Sequence, residues 1–370
     1  MIPASVERWL RALSLAGVLL CLVVILLGAF TRLTNAGISC PDWPECYGHL
    51  TPLGAADSPA AQARFPGRPL SVDRAWYEMI HRYAAGMLGL IILVITALAI
   101  ASRGRIVGSG YAVALFATVI VQVLLGMLTV TWLLKPLIVT AHLIFGMTTL
   151  ALLWWIWLTL QRPGAADGGG KDAPAIPGGD ASGARNPRGR ASYRDSLAAV
   201  GALRLAYGLS ILGLVVLGVQ FFLGAWTSAN HAAYACPDFP SCNGAWLPHA
   251  DFRQAFVLWR GIRVDFQGGI LPNAARVAIK LAHRLGALAV TLALGAASVY
   301  VIGRRALLEA RGYAYTVLAA LIMQLTIGIS MVLKSFPLGL TTAHTAGAAL
   351  LLMAALALVY KLRSMCVART

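Results

Sequence analysis

Four histidines lie inside long apolar stretches of the chain, namely His81, His142, His283 and His344. An ionisable side chain inside a membrane helix is costly, so each is a candidate functional residue. Two imidazoles that face each other across a helical bundle are typical of b-type haem ligation. Zinc or copper would favour further Cys or Asp ligands, and none accompanies all four. We predict two haem sites; the alternative is that each imidazole only hydrogen-bonds a neighbouring helix.

One acidic residue distinguishes the two pairs of histidines. Glu78 precedes His81 by three residues, so both side chains share a helix face, whereas the position three before His283 holds Lys280. A carboxylate beside a haem can accept protons during an oxidation, and a lysine there can only neutralise charge or donate a hydrogen bond. We predict that Glu78 is catalytic; the alternative is that it caps the first turn of its helix.

Four cations lie near the histidines and are candidate partners of the haem propionates, which are anionic and project toward water. Arg82 and Arg284 each follow a histidine directly, and Lys135 and Lys334 precede the helices that carry the other two. The alternative is that these side chains extend to the membrane interface with no ligand.

Two loops each carry a pair of cysteines in the pattern Cys-Pro-Asp-aromatic-Pro-x-Cys. The pairs are Cys40 with Cys46, and Cys236 with Cys242. The prolines and the aspartate favour a tight turn, so a local disulfide is sterically feasible in each loop. We favour a structural staple over a disulfide that exchanges electrons.

The composition predicts the elements that position these residues. The chain has 370 residues, 59% hydrophobic and 12% charged, with a mean hydropathy of +0.74, which excludes an ordinary soluble enzyme. The formal charge of +16 reflects cations between apolar spans and is no indication of nucleic acid. We predict an all-α polytopic membrane protein with eight transmembrane helices, near 12–31, 78–101, 111–133, 138–160, 205–227, 277–301, 313–333 and 338–361.

An internal repeat divides these helices into two sets of four. The segment 28–48 aligns without gaps on 224–244 with ten identical positions, and the four histidines pair at an offset of 202 residues. We predict two tandem parallel-repeat bundles, residues 1–162 and 205–370. The intervening residues 163–204 are rich in Gly, Ala, Pro, Asp and Arg and predict a disordered cytoplasmic linker.

The orientation follows from the loops. Lys and Arg number 17 on the side of the termini and 13 on the other, which weakly favours cytoplasmic termini. Paired cysteines belong in an oxidising compartment, so both cysteine loops are predicted to be periplasmic or extracellular.

Together these motifs resemble the haem A synthase family. The resemblance rests on TRLTNAGISCPDWPEC at 31–46, on Glu78-x-x-His81-Arg82, on His142, and on the same scheme repeated through CPDFPSC, His283-Arg284 and His344. It covers nearly the whole chain apart from residues 163–192.

The resemblance implies an oxidoreductase that converts the C8 methyl of haem O to the formyl of haem A, with oxygen from water, for cytochrome oxidase biogenesis. It implies that His81 and His142 ligate the iron of the substrate haem O, with Glu78 as the catalytic glutamate. It also implies a haem b cofactor on His283 and His344, and the cysteine pairs Cys40–Cys46 and Cys236–Cys242.

The resemblance further implies a place in the cell inner membrane. It implies haem O synthase upstream and cytochrome oxidase assembly factors downstream, and it leaves a homo-oligomer and the electron acceptor open. The alternative function is a di-haem b-type cytochrome that passes electrons between quinone and the external disulfides. The Glu78-to-Lys280 difference favours the enzyme, because a pure electron conduit needs no such asymmetry.

Overall fold

Eight long helices dominate the fold. The computed structural model describes residues 4–161, 187–261 and 264–368, and in these residues eight helices are long and apolar enough to cross a membrane. No strand occurs in this part of the chain, which agrees with the predicted all-α class. The helices are α1 (Ala4–Leu33), α2 (Pro52–Ala56), α3 (Pro59–Ala63), α4 (Val72–Ala101), α5 (Ser109–Thr131), α6 (Pro136–Leu160), α7 (Pro187–Ala229), α8 (Phe252–Ala255), α9 (Asn273–Gly303), α10 (Arg311–Leu333) and α11 (Leu338–Val367).

The spanning helices extend beyond most of the predicted segments because their polar first turns remain helical. In α1 the added turns carry Glu7 and Arg11, which form an ion pair at 2.5 Å. Pro136 occupies the first position of α6, where its fixed φ suits helix initiation and its missing N–H is not needed.

The predicted disordered linker is wrong in its second part. Residues 187–204 are helical and continue directly into the fifth spanning helix, α7. This stretch contains several Ala, Leu and Arg residues, which favour helix, and it extends a helix that is already nucleated. Residues 163–186 of the predicted linker lie outside the described residues.

The spanning helices form two bundles of four. In the N-terminal bundle, α1 packs on α4 and α6, and α5 packs on α4 and α6; in the C-terminal bundle, α7 packs on α9 and α11, and α10 packs on α9 and α11. The bundles meet through α1, α6, α7 and α11, and the Trp154 indole donates to the carbonyl of Met353 across this junction (2.9 Å).

The two cysteine loops share unusual local backbone features. Each has a cis peptide bond before its second proline, at Pro44 and Pro240, and a residue with positive φ three residues later, at Tyr47 and Asn243. The tandem duplication stays a prediction, and the equivalent positive-φ positions Tyr47 and Asn243 support it.

Candidate functional site

The four histidines predicted from the sequence lie at similar depths in their helices. Each is six to ten residues from the start of α4, α6, α9 or α11, which places it about 9–15 Å along the helix. All four are only partly buried although they lie deep within the bundles. The imidazoles are therefore only partly enclosed by the protein's own residues.

A glycine on a neighbouring helix makes room for each imidazole. A Cβ built on the glycine would lie 2.9–3.3 Å from the histidine Cε1 in all four cases. Any larger residue would push the ring from its place, so these glycines set the ring positions. The pairs are Gly28 with His81, Gly126 with His142, Gly224 with His283, and Gly328 with His344.

Within each bundle the two imidazoles are close enough to interact electrostatically, His81 with His142 and His283 with His344. The Nδ1 atoms of His81, His142 and His344 are buried without a hydrogen-bond partner. Paired imidazoles with ring nitrogens that have no hydrogen-bond partner suit iron ligation, so the residues present fit the predicted haem sites.

Two glutamines support the histidines of the C-terminal bundle. The Gln220 Nε2 lies 3.1 Å from His283 Nδ1 and donates to the His283 carbonyl at 3.0 Å. Gln324 approaches the other ring nitrogen of its histidine: its Nε2 lies 3.4 Å from His344 Nε2 and donates to the His344 carbonyl at 3.1 Å. Gln220 was not predicted as a site residue from the sequence.

Glu78 lies beneath the first cysteine loop and is only 4% exposed. Its Oε2 accepts a hydrogen bond from the Cys40 N–H at 3.0 Å, and its Oε1 accepts one from Arg82 at 2.6 Å. Arg82 also donates to three loop carbonyls, those of Asp42, Pro44 and Glu45, at 2.7–3.1 Å. The carboxylate is thus fixed between helix α4 and the disulfide loop.

In the C-terminal bundle an arginine again binds the carbonyls of the cysteine loop, but no carboxylate stands at the position equivalent to Glu78. Arg284 donates to the carbonyls of Asp238, Pro240 and Ser241. Lys280 is 3% exposed and interacts electrostatically with both His283 and His344. The difference predicted from the sequence is therefore a difference in buried charge one helical turn before His81 and His283. Because Arg82 and Arg284 are engaged by loop carbonyls, their contact with propionates stays a prediction.

Both predicted disulfides are formed. The Cα atoms are 4.7 Å apart in Cys40–Cys46 and in Cys236–Cys242, a separation within the usual range. An aspartate closes each loop: the carboxylate of Asp42 accepts the N–H groups of Tyr47 and Gly48, and that of Asp238 accepts those of Asn243 and Gly244.

Asp238 is expected to hold its loop closed across a wide pH range. Hydrogen bonds from the Ser241 hydroxyl and from loop amides lower its pKa to about 2. Because the folded value lies below the ordinary value of 3.8, this contribution to stability is full above pH 4 and is lost as the pH falls toward 2. Asp238→Asn should therefore speed hydrogen exchange at the amides of Asn243 and Gly244 severalfold at pH 7, measured by mass spectrometry.

The first cysteine loop is the control for that experiment. The amides of Tyr47 and Gly48 depend on Asp42 and should exchange at the wild-type rate in the same variant. Equal exchange at Asn243 and Gly244 before and after the substitution would contradict the role of Asp238.

Lys135 joins the N-terminal bundle to the long loop between α7 and α9, here called the second loop. It is 2% exposed; its Nζ donates to the Gly261 carbonyl at 2.5 Å and lies 3.0 Å from the centroid of the Trp259 ring. Burial lowers the pKa of Lys135. Phe266 adds a backbone hydrogen bond to the Leu133 carbonyl, and a cavity of about 290 Å³ lies beside these contacts. Part of the C-terminal half therefore covers the loop end of the N-terminal bundle.

The two lysines predicted as propionate partners are not equivalent in the structure. Lys135 is buried under the second loop, whereas Lys334 is exposed. Their contact with propionates stays a prediction for both residues.

Removing the Lys135 ammonium is expected to loosen the second loop. In Lys135→Met the stem still packs, but the hydrogen bond to Gly261 and the cation–π contact are lost. Hydrogen exchange of the peptides that cover 256–270 should become about tenfold faster. Lys334→Met is the control and should leave these peptides unchanged; equal exchange in Lys135→Met and the wild type would disprove the anchor.

His231, which was given no role from the sequence, lies against the end of α1. The Arg32 guanidinium is 2.8 Å from its Nε2 and donates to the carbonyl of Ser228 at 2.9 Å. Burial, then the nearby Arg32 and Arg276, lowers the pKa of His231 to about 4. This contact joins the two bundles at the end that carries the cysteine loops.

Comparison with known proteins agrees with these features. The model of the COX15-CtaA family, described as cytochrome oxidase assembly protein, matches residues 11–356. A haem A synthase of Shewanella oneidensis is 35% identical over 93% of each chain. Haem A synthases of Rhizorhabdus wittichii and Erythrobacter litoralis are 24% and 26% identical, over 96% and 94% of this chain and over 93% and 94% of their own. A match of this extent, on a chain whose described residues include eight helices long and apolar enough to cross a membrane, shows that the protein belongs to the COX15-CtaA family of cytochrome oxidase assembly proteins.

Proposed function

We propose that this protein is a haem A synthase that oxidises the C8 methyl of haem O to the formyl of haem A with oxygen from water. The observation that carries the proposal is the buried Glu78, which lies one helical turn before His81, with Lys280 in the equivalent position before His283. Two equivalent electron-carrying sites need no such difference, whereas an oxidation at one porphyrin needs a proton acceptor there.

The proposed reaction determines which tasks the protein must perform. Conversion of a methyl and one water to a formyl releases four protons and four electrons. The haem groups supply one-electron redox chemistry when they are bound. The protein must hold the substrate in one orientation, accept protons near its edge, and keep a second site for electron transfer.

Each of these tasks falls to named residues. His81 and His142 hold the substrate haem in the N-terminal bundle, and His283 and His344 hold haem b in the C-terminal bundle. Glu78 accepts protons at its carboxylate. The Cys40 amide and Arg82 orient that carboxylate, so Arg82 is a positioning residue. The disulfide loops serve as staples that keep these groups in place.

The alternative, a di-haem cytochrome that links quinone to the external disulfides, receives no support from the comparisons, whose relatives are named haem A synthases. A di-haem cytochrome would also not explain why Glu78 in one half corresponds to Lys280 in the other.

The cellular setting belongs to the same proposal. We propose that the protein lies in the cell inner membrane with cytoplasmic termini and external cysteine loops. Haem O synthase supplies its substrate, and haem A passes to cytochrome oxidase assembly.

The test is the haem content of a host that makes haem O, with and without this protein. Haems are extracted from membranes and separated by chromatography, and haem A should appear only when the protein is present. Full expression with bound haem b but no haem A would overturn the proposal and favour the cytochrome.

A further inference from the structure

Two arginines and one histidine meet where the bundles join, at the end that carries the cysteine loops. Arg32 ends α1 and contacts His231, and Arg276 lies in the first turn of α9 and acts electrostatically on the same imidazole. We call Arg32, His231 and Arg276 the junction cluster. Its members come from both halves of the chain.

The junction cluster contains hydrogen-bond donors without an anionic partner. The Nε atoms of Arg32 and Arg276 are buried and unpaired, and no carboxylate of the described residues lies within 4.0 Å of either arginine. His231 faces the Arg32 guanidinium through Nε2, so its proton is on Nδ1, which then also donates. A buried group of donors with a net positive charge suits a carboxylate or phosphate oxyanion.

Helix α9 connects the junction cluster to the histidine pair of the C-terminal bundle. Arg276, Lys280 and His283 are spaced by four and three residues, so they share one helix face. Arg276 is about 10 Å along the axis from His283. Lys280 lies between them, buried, and interacts electrostatically with both histidines.

The N-terminal bundle lacks a counterpart of this arrangement. The position that corresponds to Arg276 holds Arg74, which is exposed and donates to the Ser71 hydroxyl at 3.2 Å. The position that corresponds to Lys280 holds Glu78, and the one that corresponds to Arg32 holds Ser228. Helix α9 therefore carries two cations, Arg276 and the buried Lys280, on the helix face of His283, and α4 has no such pair on the face of His81.

We propose that the junction cluster and Lys280 bind the propionate carboxylates of the haem held between His283 and His344. Arg32 of the N-terminal bundle thereby completes the haem site of the C-terminal bundle. The inference rests on the proposed two-haem arrangement and adds a reason for the difference between the sites. The haem with this anchor is retained, and the haem without it is exchangeable, as a substrate must be.

The test compares Arg276→Gln with Arg74→Gln in the purified full-length protein loaded with haem b. Transfer of haem to excess apomyoglobin is followed by absorbance. Loss of a charge-assisted contact should speed release from the C-terminal bundle about tenfold in Arg276→Gln, with less than about twofold change in Arg74→Gln. Unchanged release in Arg276→Gln would overturn the inference.

A second arm tests the carboxylates without altering the protein. Wild-type protein is loaded with haem b dimethyl ester, in which both propionates are blocked, and the ester should leave about as fast as haem b leaves Arg276→Gln. Equal retention of ester and free acid in the wild type would overturn the inference even if the variant fails to fold.

A third measurement distinguishes a lipid phosphate from a haem carboxylate. Phospholipid per protein is counted in wild type and Arg276→Gln. Loss of phospholipid with unchanged haem release would show a lipid site and reject the haem anchor. None of these readouts needs haem A, so failure of the proposed reaction would be seen separately, as absence of haem A from the wild type.

Discussion

Replacing Glu78 with glutamine is expected to lower haem A formation by about 10²- to 10⁴-fold while haem remains bound. Glutamine has nearly the same shape, and its Oε1 can still accept a hydrogen bond from the Cys40 amide or from Arg82. It cannot take up a proton at neutral pH. Haems extracted from membranes of a host that supplies haem O give the yield, and the absorbance spectrum of the purified variant shows whether haem is retained.

The matched control is Glu45→Gln in the loop above the same histidine pair. The side chain of Glu45 is exposed, and only its backbone carbonyl contacts Arg82. Haem A formation should stay close to the wild-type level in this variant. A wild-type yield from Glu78→Gln would show that the carboxylate only caps its helix and secures the loop.

The spanning helices could be predicted because a bilayer leaves the backbone little choice. An apolar run of about 20 residues must satisfy its own hydrogen bonds and so becomes helical. The same argument says nothing about where a helix ends in water. This is why residues 187–204, which extend α7, were wrongly predicted as disordered.

The chemistry-bearing side chains could also be predicted, since histidine and glutamate stand out in an apolar segment. Their surroundings could not, because most partners are backbone atoms. Arg82 donates to loop carbonyls, and Lys135 donates to the carbonyl of Gly261. Every residue has a backbone carbonyl, so the residue type does not reveal these contacts. Contacts between the bundles, such as Arg32 with His231, join positions that the repeat does not pair.

One signal in the sequence could have predicted more of the site. Gly28 and Gly224 are equivalent positions of the repeat, as are Gly126 and Gly328, and each lies against a histidine. Glycine inside a spanning helix often marks a close approach of two elements. Its recurrence at both repeat-related pairs predicts four such approaches, one for each imidazole.

Alanine substitutions of the histidines are expected to separate the two sites. His283→Ala or His344→Ala should abolish the tightly held b-type spectrum, because each would remove one of the two side chains proposed to hold that haem. His81→Ala or His142→Ala should abolish haem A formation while that spectrum persists. Pyridine haemochrome content and the reduced-minus-oxidised spectrum of the purified protein measure the first effect, and chromatography of extracted haems measures the second.

The glycines provide a control that keeps all four histidines. Gly224→Ala places a Cβ 3.3 Å from the His283 ring and should weaken haem b binding, whereas Gly218→Ala on the same helix meets no atom within 4 Å and should have no effect. If the His81 and His142 variants lost the b-type spectrum while the His283 and His344 variants kept it, the assignment of resident and substrate haem would be reversed. If all four substitutions removed the spectrum equally, the two bundles would hold their haems alike, and a cytochrome with two resident haems would explain the protein better than an enzyme with an exchangeable substrate.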